Sequence, residues 1–299
     1  MKLKDYIRKA TPSFLLDWNR RRKKERRNAQ LNIARKSGNS LSKDDLIIDL
    51  KEMGLKQGDS VLVHSSLSRI GHLKDGPKTF VDALLQVIGE EGTLLMPTSP
   101  NNVYQLNYIQ NTPYFDVLNS PSRTGAITEY FRTLPKAVRS LHPTEPVSAL
   151  GPLAEYYTKD HFNQLTPYNE KSPFYRISEQ NGKILYVGVT LAMAGTNLHT
   201  LEDAVNDFKF PIYYAKVFDF DVIDKDGVKH RVQTKVHNPE FSKKRKCDDL
   251  IPLFEEKGVL HKKKLGAANT LVVQAKPFLD VMLKEYQEKG VTMYTPKGS

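Results

Sequence analysis

His199 and Glu202 stand three positions apart in Thr196-Asn197-Leu198-His199-Thr200-Leu201-Glu202. A helix that starts near Asn197 puts both on one face. A carboxylate there holds the imidazole's tautomer and stabilises its charged form, as a general base and its orienting partner require. The helix N-terminus pulls the imidazole pKa down while Glu202 pulls it up. The same pair also reads as a surface pair with no task. A second candidate is His142 in Arg139-Ser140-Leu141-His142-Pro143, where Pro143 drives the His backbone extended. It suits an acid or base on a constrained loop, or a structural histidine. A third segment, His64-Ser65-Ser66-Leu67-Ser68-Arg69-Ile70-Gly71, offers hydroxyls, backbone N–H groups and one Arg. Such a set can cradle a phosphate, and it also reads as a Ser-rich turn. The glycine spacing and Gly-Lys-Ser/Thr end of a nucleotide P-loop are missing. No His-Glu-x-x-His and no cysteine partner point to zinc, so no metal is expected. No Gly-x-Ser-x-Gly elbow supplies a hydrolase nucleophile. Cys247, the single cysteine, sits in a polar basic stretch with no evident His partner.

These loops need strands and helices to aim them. Ser42 with Asp45 reads as a helix start whose core face is Leu46, Ile47 and Leu50. The apolar runs Val61–Val63, Thr93–Met96 and Lys183–Val189 predict buried strands. A helix over 77–88 opens on Pro77, with Phe80, Ala83, Leu84, Val87 and Ile88 at helical spacing. The Asn-, Pro- and Ser-rich stretch 97–123 reads as a long loop. Helices follow at 125–134, from about 197 to 207, and at about 276–288. Phe218–Ile223 and Val228–Val236, joined by Asp226-Gly227, predict a hairpin. The sum is an α/β fold, a mixed sheet flanked by helices, with chemistry at the C-terminal ends of strands.

The 299 residues are 39% hydrophobic and 26% charged, which excludes collagen, coiled coil and wholesale disorder. One cysteine excludes an intrachain disulfide and fits a reducing compartment. No apolar run approaches the roughly 20 residues that span a bilayer, and the N-terminus lacks a signal-peptide stretch. The expectation is a cytoplasmic protein. Its charge is lopsided. Residues 1–36 hold 13 Lys or Arg against three acids, a net of +10, while 37–299 hold 32 against 31. The chain therefore divides into a basic N-terminal arm, 1–36, and a body, 41–299. Leu3, Tyr6, Ile7, Ala10, Phe14, Leu15 and Trp18 give the arm an apolar face beside Arg20–Lys24, although Pro12 interrupts it. That pattern suits an anionic membrane surface at the inner face of the membrane. A solvated arm or a helix packed on a sister subunit, in a homo-oligomer, reads equally from it. Nucleic acid is not expected, because the body shows no second basic stripe interleaved with aromatics. Lys243–Lys246 and Lys262–Lys264 read as solvated loop clusters.

In order and spacing the segments VLVHSSLSRIG (61–71), EGTLLMPT (91–98), SPSRTGAITEYFRTLPKAVRSLHPTEPVSALGPLAEYYTKDH (120–161), SPFYRI (172–177), GKILYVGV (182–189), TNLHTLEDA (196–204) and LGAANTLVVQA (265–275) resemble the aminoglycoside 3-N-acetyltransferase family. The resemblance covers roughly residues 41–289. It implies the antibiotic acetyltransferase fold, acetyl-CoA as donor and a primary amine on a sugar as acceptor. It implies that Ser65, Ser66, Leu67 and Arg69 contact the pantetheine and phosphates, and that His199 and Glu202 are the catalytic pair. His142 and Glu129 would line the same site, and Thr196 would donate a hydrogen bond near the thioester oxygen. Polycationic antibiotics suit an acidic cleft. The loop 97–123 offers one acid, Asp116. Charge therefore favours a neutral or phosphate-linked amino sugar of surface-polysaccharide synthesis. The alternatives are an aminoglycoside acetyltransferase giving antibiotic resistance, and a non-catalytic module that binds CoA or a sugar phosphate.

Overall fold

The computed structural model describes residues 40–298 together with scattered positions between 18 and 38. Its strands are β1 (Ser60–Ser65), β2 (Thr93–Pro97), β3 (Tyr114–Asp116), β4 (Val138–Arg139), β5 (Val147–Leu150), β6 (Lys183–Val187), β7 (Phe218–Ile223), β8 (Lys229–Thr234), β9 (Leu260–Leu265) and β10 (Ala268–Gln274). Seven of them form one sheet in the order β4-β5-β2-β1-β6-β10-β9. The centre is parallel, with β1 between β2 and β6, and the flanking pairs are antiparallel. A second sheet has the order β3-β7-β8.

The central strands are short apolar runs because both faces of the sheet are covered. Side chains alternate between the faces. Val61, Val63, Leu94, Met96, Leu185 and Val187 join Phe80 and Leu84 of the helix Pro77–Ile88 on one side. Leu62, Leu95, Ile184 and Tyr186 join Tyr157, Phe174 and Phe278 on the other. The helix Lys43–Glu52 begins at a capping box of Ser42 and Asp45, and buries Leu46, Ile47 and Leu50 as the sequence predicts.

Three stretches depart from the sequence reading. Residues 97–123 are not one loop: they hold the helix Gln105–Asn111 and β3, whose Tyr108, Ile109 and Phe115 pack on β7 and β8 in a third core. Val147–Leu150, not among the strands expected from the sequence, is β5 and pairs with β2. Lys262–Lys264, taken as a loop cluster, lies on the edge strand β9, where exposed lysines discourage pairing with another chain.

Candidate active site

β1 and β6 pair in parallel with His64 opposite Tyr186. The two rings stack, centroids 4.9 Å apart, beneath the loops that leave both strands. Burial pulls the His64 imidazole down to about 4, so it is neutral. Its Nε2 lies 3.2 Å from Thr196 Oγ1, which ties the first loop to the third. Beyond β1, Ser65, Ser66 and Leu67 line a cleft of about 740 Å³. The opposite walls come from Gly71–Lys74 and Thr124–Thr128, with Leu31, Asn32 and Arg35 of the arm at its margin. Ser65 Oγ is buried without a hydrogen-bond partner. Arg69 does not line that cleft. Its Nη1 donates to the Gly188 carbonyl at 2.5 Å. Gly188 has φ +67°, and a Cβ there would fall 2.7 Å from Arg69 Cβ, so this close fastening of the first loop to the end of β6 needs glycine.

A second cavity, about 200 Å³, takes in Thr196, His199, His237, Glu145, Tyr168, Arg245 and Cys247. The chain reaches it through a 3-10 turn, Thr196–His199, followed by the helix Thr200–Ala204, so the helical start lies at the predicted position but in the tighter geometry. His199 Nδ1 is 2.6 Å from Glu202 Oε2. The same oxygen lies 3.2 Å from His237 Nε2, and the Tyr294 hydroxyl donates to Oε1 at 2.9 Å. Tyr168 stacks on both imidazoles. Burial works against the Glu202 charge, but the two imidazoles outweigh it and hold the carboxyl below its ordinary range. Burial pushes His199 the other way, toward the neutral form, against the pull of Glu202. An ionised carboxylate only accepts, so neutral His199 carries its proton on Nδ1 and offers a lone pair at Nε2. In that form Nε2 is able to accept a proton. His199, Glu202 and His237 also bring three ligand-type atoms within 4.8 Å. The His199 and His237 nitrogens both lie at hydrogen-bond distance from one Glu202 oxygen.

Of the other expected residues, Thr196 lines this cavity and His142 and Glu129 do not. His142 is fully buried, stacked on His161 at 4.6 Å, and its Nδ1 accepts from the Thr144 and Glu145 N–H groups. Glu129 binds the Arg132 guanidinium and the Ser122 N–H. Asp116 caps the turn after β3 through the Leu118 and Asn119 N–H groups. The acid in the lining of this cavity is Glu145, which accepts from Ser99 and Gln105 at 2.8 and 2.7 Å. Burial raises its pKa. Gln105 in turn accepts from the His237 N–H at 2.8 Å. Sequence reasoning missed His237, Glu145, Tyr168, Tyr294 and Arg245. They converge from segments far apart in the chain, and His237 follows β8, outside any stretch whose pattern marks a site. Cys247 does lie at the cavity, with burial pushing its thiol up to about 11, which disfavours a thiolate.

The sequence model of the family described as Aminoglycoside 3-N-acetyltransferase matches residues 62–287. The chain is 31% identical over 186 residues to Aminoglycoside N(3)-acetyltransferase VII of Streptomyces paromomycinus, covering 58% of this chain and 64% of that relative. The chain thus spans a little under two thirds of that relative's length. Its fold is similar to the crystal structure of aminoglycoside acetyltransferase AAC(3)-Xa, with TM-score 0.71 and 25% identity over 87% of this chain and 97% of the other. It is also similar to AAC-IIIb in its binary complex with CoASH, with TM-score 0.68 and 26% identity over 83% and 97%.

Proposed function

The chain belongs to the aminoglycoside 3-N-acetyltransferase family, and from that premise we propose that it moves an acetyl group from acetyl-CoA to a primary amine of an amino sugar. The observation that carries the reading is His199 in the second cavity, with Nδ1 on Glu202 and Nε2 left as a lone pair. In this reading His199 Nε2 takes a proton from the acceptor amine as its nitrogen attacks the thioester carbon. Glu202 stabilises the imidazolium that forms, and His237 and Tyr294 fix the carboxylate from its far side. The C–N bond forms, the C–S bond breaks, and the imidazolium proton goes to the departing CoA sulfur. When His64 donates from Nε2 to the Thr196 oxygen, the Thr196 hydroxyl hydrogen is free for the developing oxyanion. Direct transfer needs no enzyme nucleophile, which suits a cysteine with a raised pKa. Ser65, Ser66 and Leu67 would hold the pantetheine in the larger cleft, with Arg69 keeping that loop fastened to β6.

Residues 41–299 act here as the acetyltransferase domain. The arm, 1–36, serves as a tether to an anionic membrane surface, which would bring the enzyme to the inner face of the membrane and to precursors of surface polysaccharide. Among the described residues no helix is long and apolar enough to cross a membrane. The names of the relatives favour a second reading, an aminoglycoside antibiotic as acceptor. A thiol-release assay with acetyl-CoA, run against aminoglycosides and nucleotide-linked amino sugars, tests both. Acceptor-dependent CoA release is the expected outcome. Its absence with every acceptor would leave a binding module and end the catalytic reading.

A further inference from the structure

The run Lys243-Lys244-Arg245-Lys246 looks uniform in sequence, yet the fold treats one member differently. The three lysines are exposed, while Arg245 turns inward to the cavity it shares with His199. Its neighbours fix that direction. The Lys246 N–H donates to the Met293 carbonyl at 2.7 Å, and Cys247 is buried against Met293. Within the cavity the Arg245 Nε and Nη2 groups are buried and have no hydrogen-bond partner. The guanidinium makes no ion pair with Glu145 or Glu202, the two acids nearby. Burial opposes its charge, but Tyr294, which also hydrogen-bonds the guanidinium, holds that charge together with Glu202 and Tyr168. A guanidinium is a planar fork of donors matched to two oxygens of one anion. Buried donors left unpaired are costly, so a fold that keeps them aimed at a cavity favours an occupant that accepts from them. Glu145, a carboxyl group, lines the same cavity.

We propose that Arg245 binds an anionic group, a phosphate or a carboxylate, on the acceptor, and that Glu145 faces its amine side. The inference rests on the acetyl-transfer reading and narrows the acceptor to an amino sugar that carries both an amine and an anion. A polycation without an anion would bring like charge to Arg245 and leave its fork unpaired.

The test compares acceptors in the full chain, by thiol release and by calorimetric binding. The probes are glucosamine 1-phosphate, muramic acid (an amino sugar with a carboxylate), glucosamine and sisomicin. Wild type should favour one of the two anionic sugars over glucosamine and over sisomicin in kcat/KM, and the arm that wins identifies the anion as phosphate or carboxylate. Arg245→Gln should cut the preference for that sugar over glucosamine by about 10- to 100-fold, the worth of a charged hydrogen bond. The loss should fall mainly on its KM. Arg245→Lys should restore part of it. The preference is a ratio within one preparation, so a smaller folded fraction cancels. An unchanged ratio in Arg245→Gln, or a wild-type preference for glucosamine or sisomicin, would overturn the proposal. If no probe releases thiol but an anionic sugar binds in an Arg245-dependent way, the anion site stands and the catalytic reading falls. If none binds in that way, the anion site falls.

Discussion

At the scale of residues, the base hypothesis turns on which imidazole nitrogen is free. His199 has Nδ1 committed to Glu202, whereas His142 spends Nδ1 on two backbone N–H groups and lies outside the cavity. His199→Gln keeps approximate size and removes the proton acceptor. Turnover should fall by about two to four orders of magnitude, the usual worth of a positioned base, while CoA binding survives in the separate cleft. Glu202→Gln should cost less in rate, because it orients the base and does not take the acceptor's proton. It will cost folding stability as well, since the same carboxylate holds His237 and Tyr294. The two rate losses should not add, as the residues act as one unit. Steady-state rates on folded variants check this. A near-normal His199→Gln together with a collapse in His142→Gln would move the base to the other loop. The pair was legible in the sequence because its two members lie on one short turn. The partners that hold it were not, because contact among His237, Tyr294 and Glu202 is made by tertiary structure alone.

At the scale of elements, the strands and helices with strong local signals were readable. The helix Pro77–Ile88 has proline at its start and apolar residues at 3–4 spacing, and it runs over the expected span. The hairpin of β7 and β8 follows from alternation across Asp226-Gly227. Missed elements lack such signals. β9 is Leu-His-Lys-Lys-Lys-Leu, apolar only at its two ends, and becomes a strand because β10 pairs with it. The helix Gln105–Asn111 hides in a polar stretch and is secured by Tyr108 and Ile109 against the small sheet. The arm, 1–36, is described only in part. Leu3, Tyr6, Ile7, Ala10, Phe14 and Leu15 of its apolar face lie outside the described residues. Trp18 is described, half exposed, with the Arg22 guanidinium 4.6 Å from its ring. A net charge of +10 within a Debye length of about 8–10 Å should draw the arm to anionic lipid at moderate salt. Sedimentation with anionic liposomes should exceed that with neutral ones and should drop when residues 1–36 are removed. Equal sedimentation in either comparison would sink the tether.

At the scale of the whole molecule, the histidines set the acid limit of stability. Five of the eight are buried: His64, His142, His161, His199 and His237. Burial lowers the pKa of each, to about 4 for His64, to about 3 for His161 and well below the ordinary value for His142. The unfolded chain takes up protons near pH 6.5, whereas the native chain does not until its own lower values are reached. Stability is therefore at its full value above about pH 6.5 and is lost as pH falls toward the native pKa values. Outside the His199–Glu202 pair, His64 and His161 would each forfeit about 2 kcal/mol by pH 5, and His142 shifts the same way. His64 and His161 together come to about 4 kcal/mol, a large share of the net stability of an ordinary domain, about 5–15 kcal/mol. Carboxylates held low by ion pairs lose their contribution only at lower pH, so the histidine window comes first. Urea unfolding at steps from pH 7.5 to 5.0 should show a midpoint that is flat above 6.5 and falls steeply below it, with an uptake of several protons on unfolding. A midpoint constant down to pH 5.0 would mean that these imidazoles titrate in the native protein and that the interior around them admits charge.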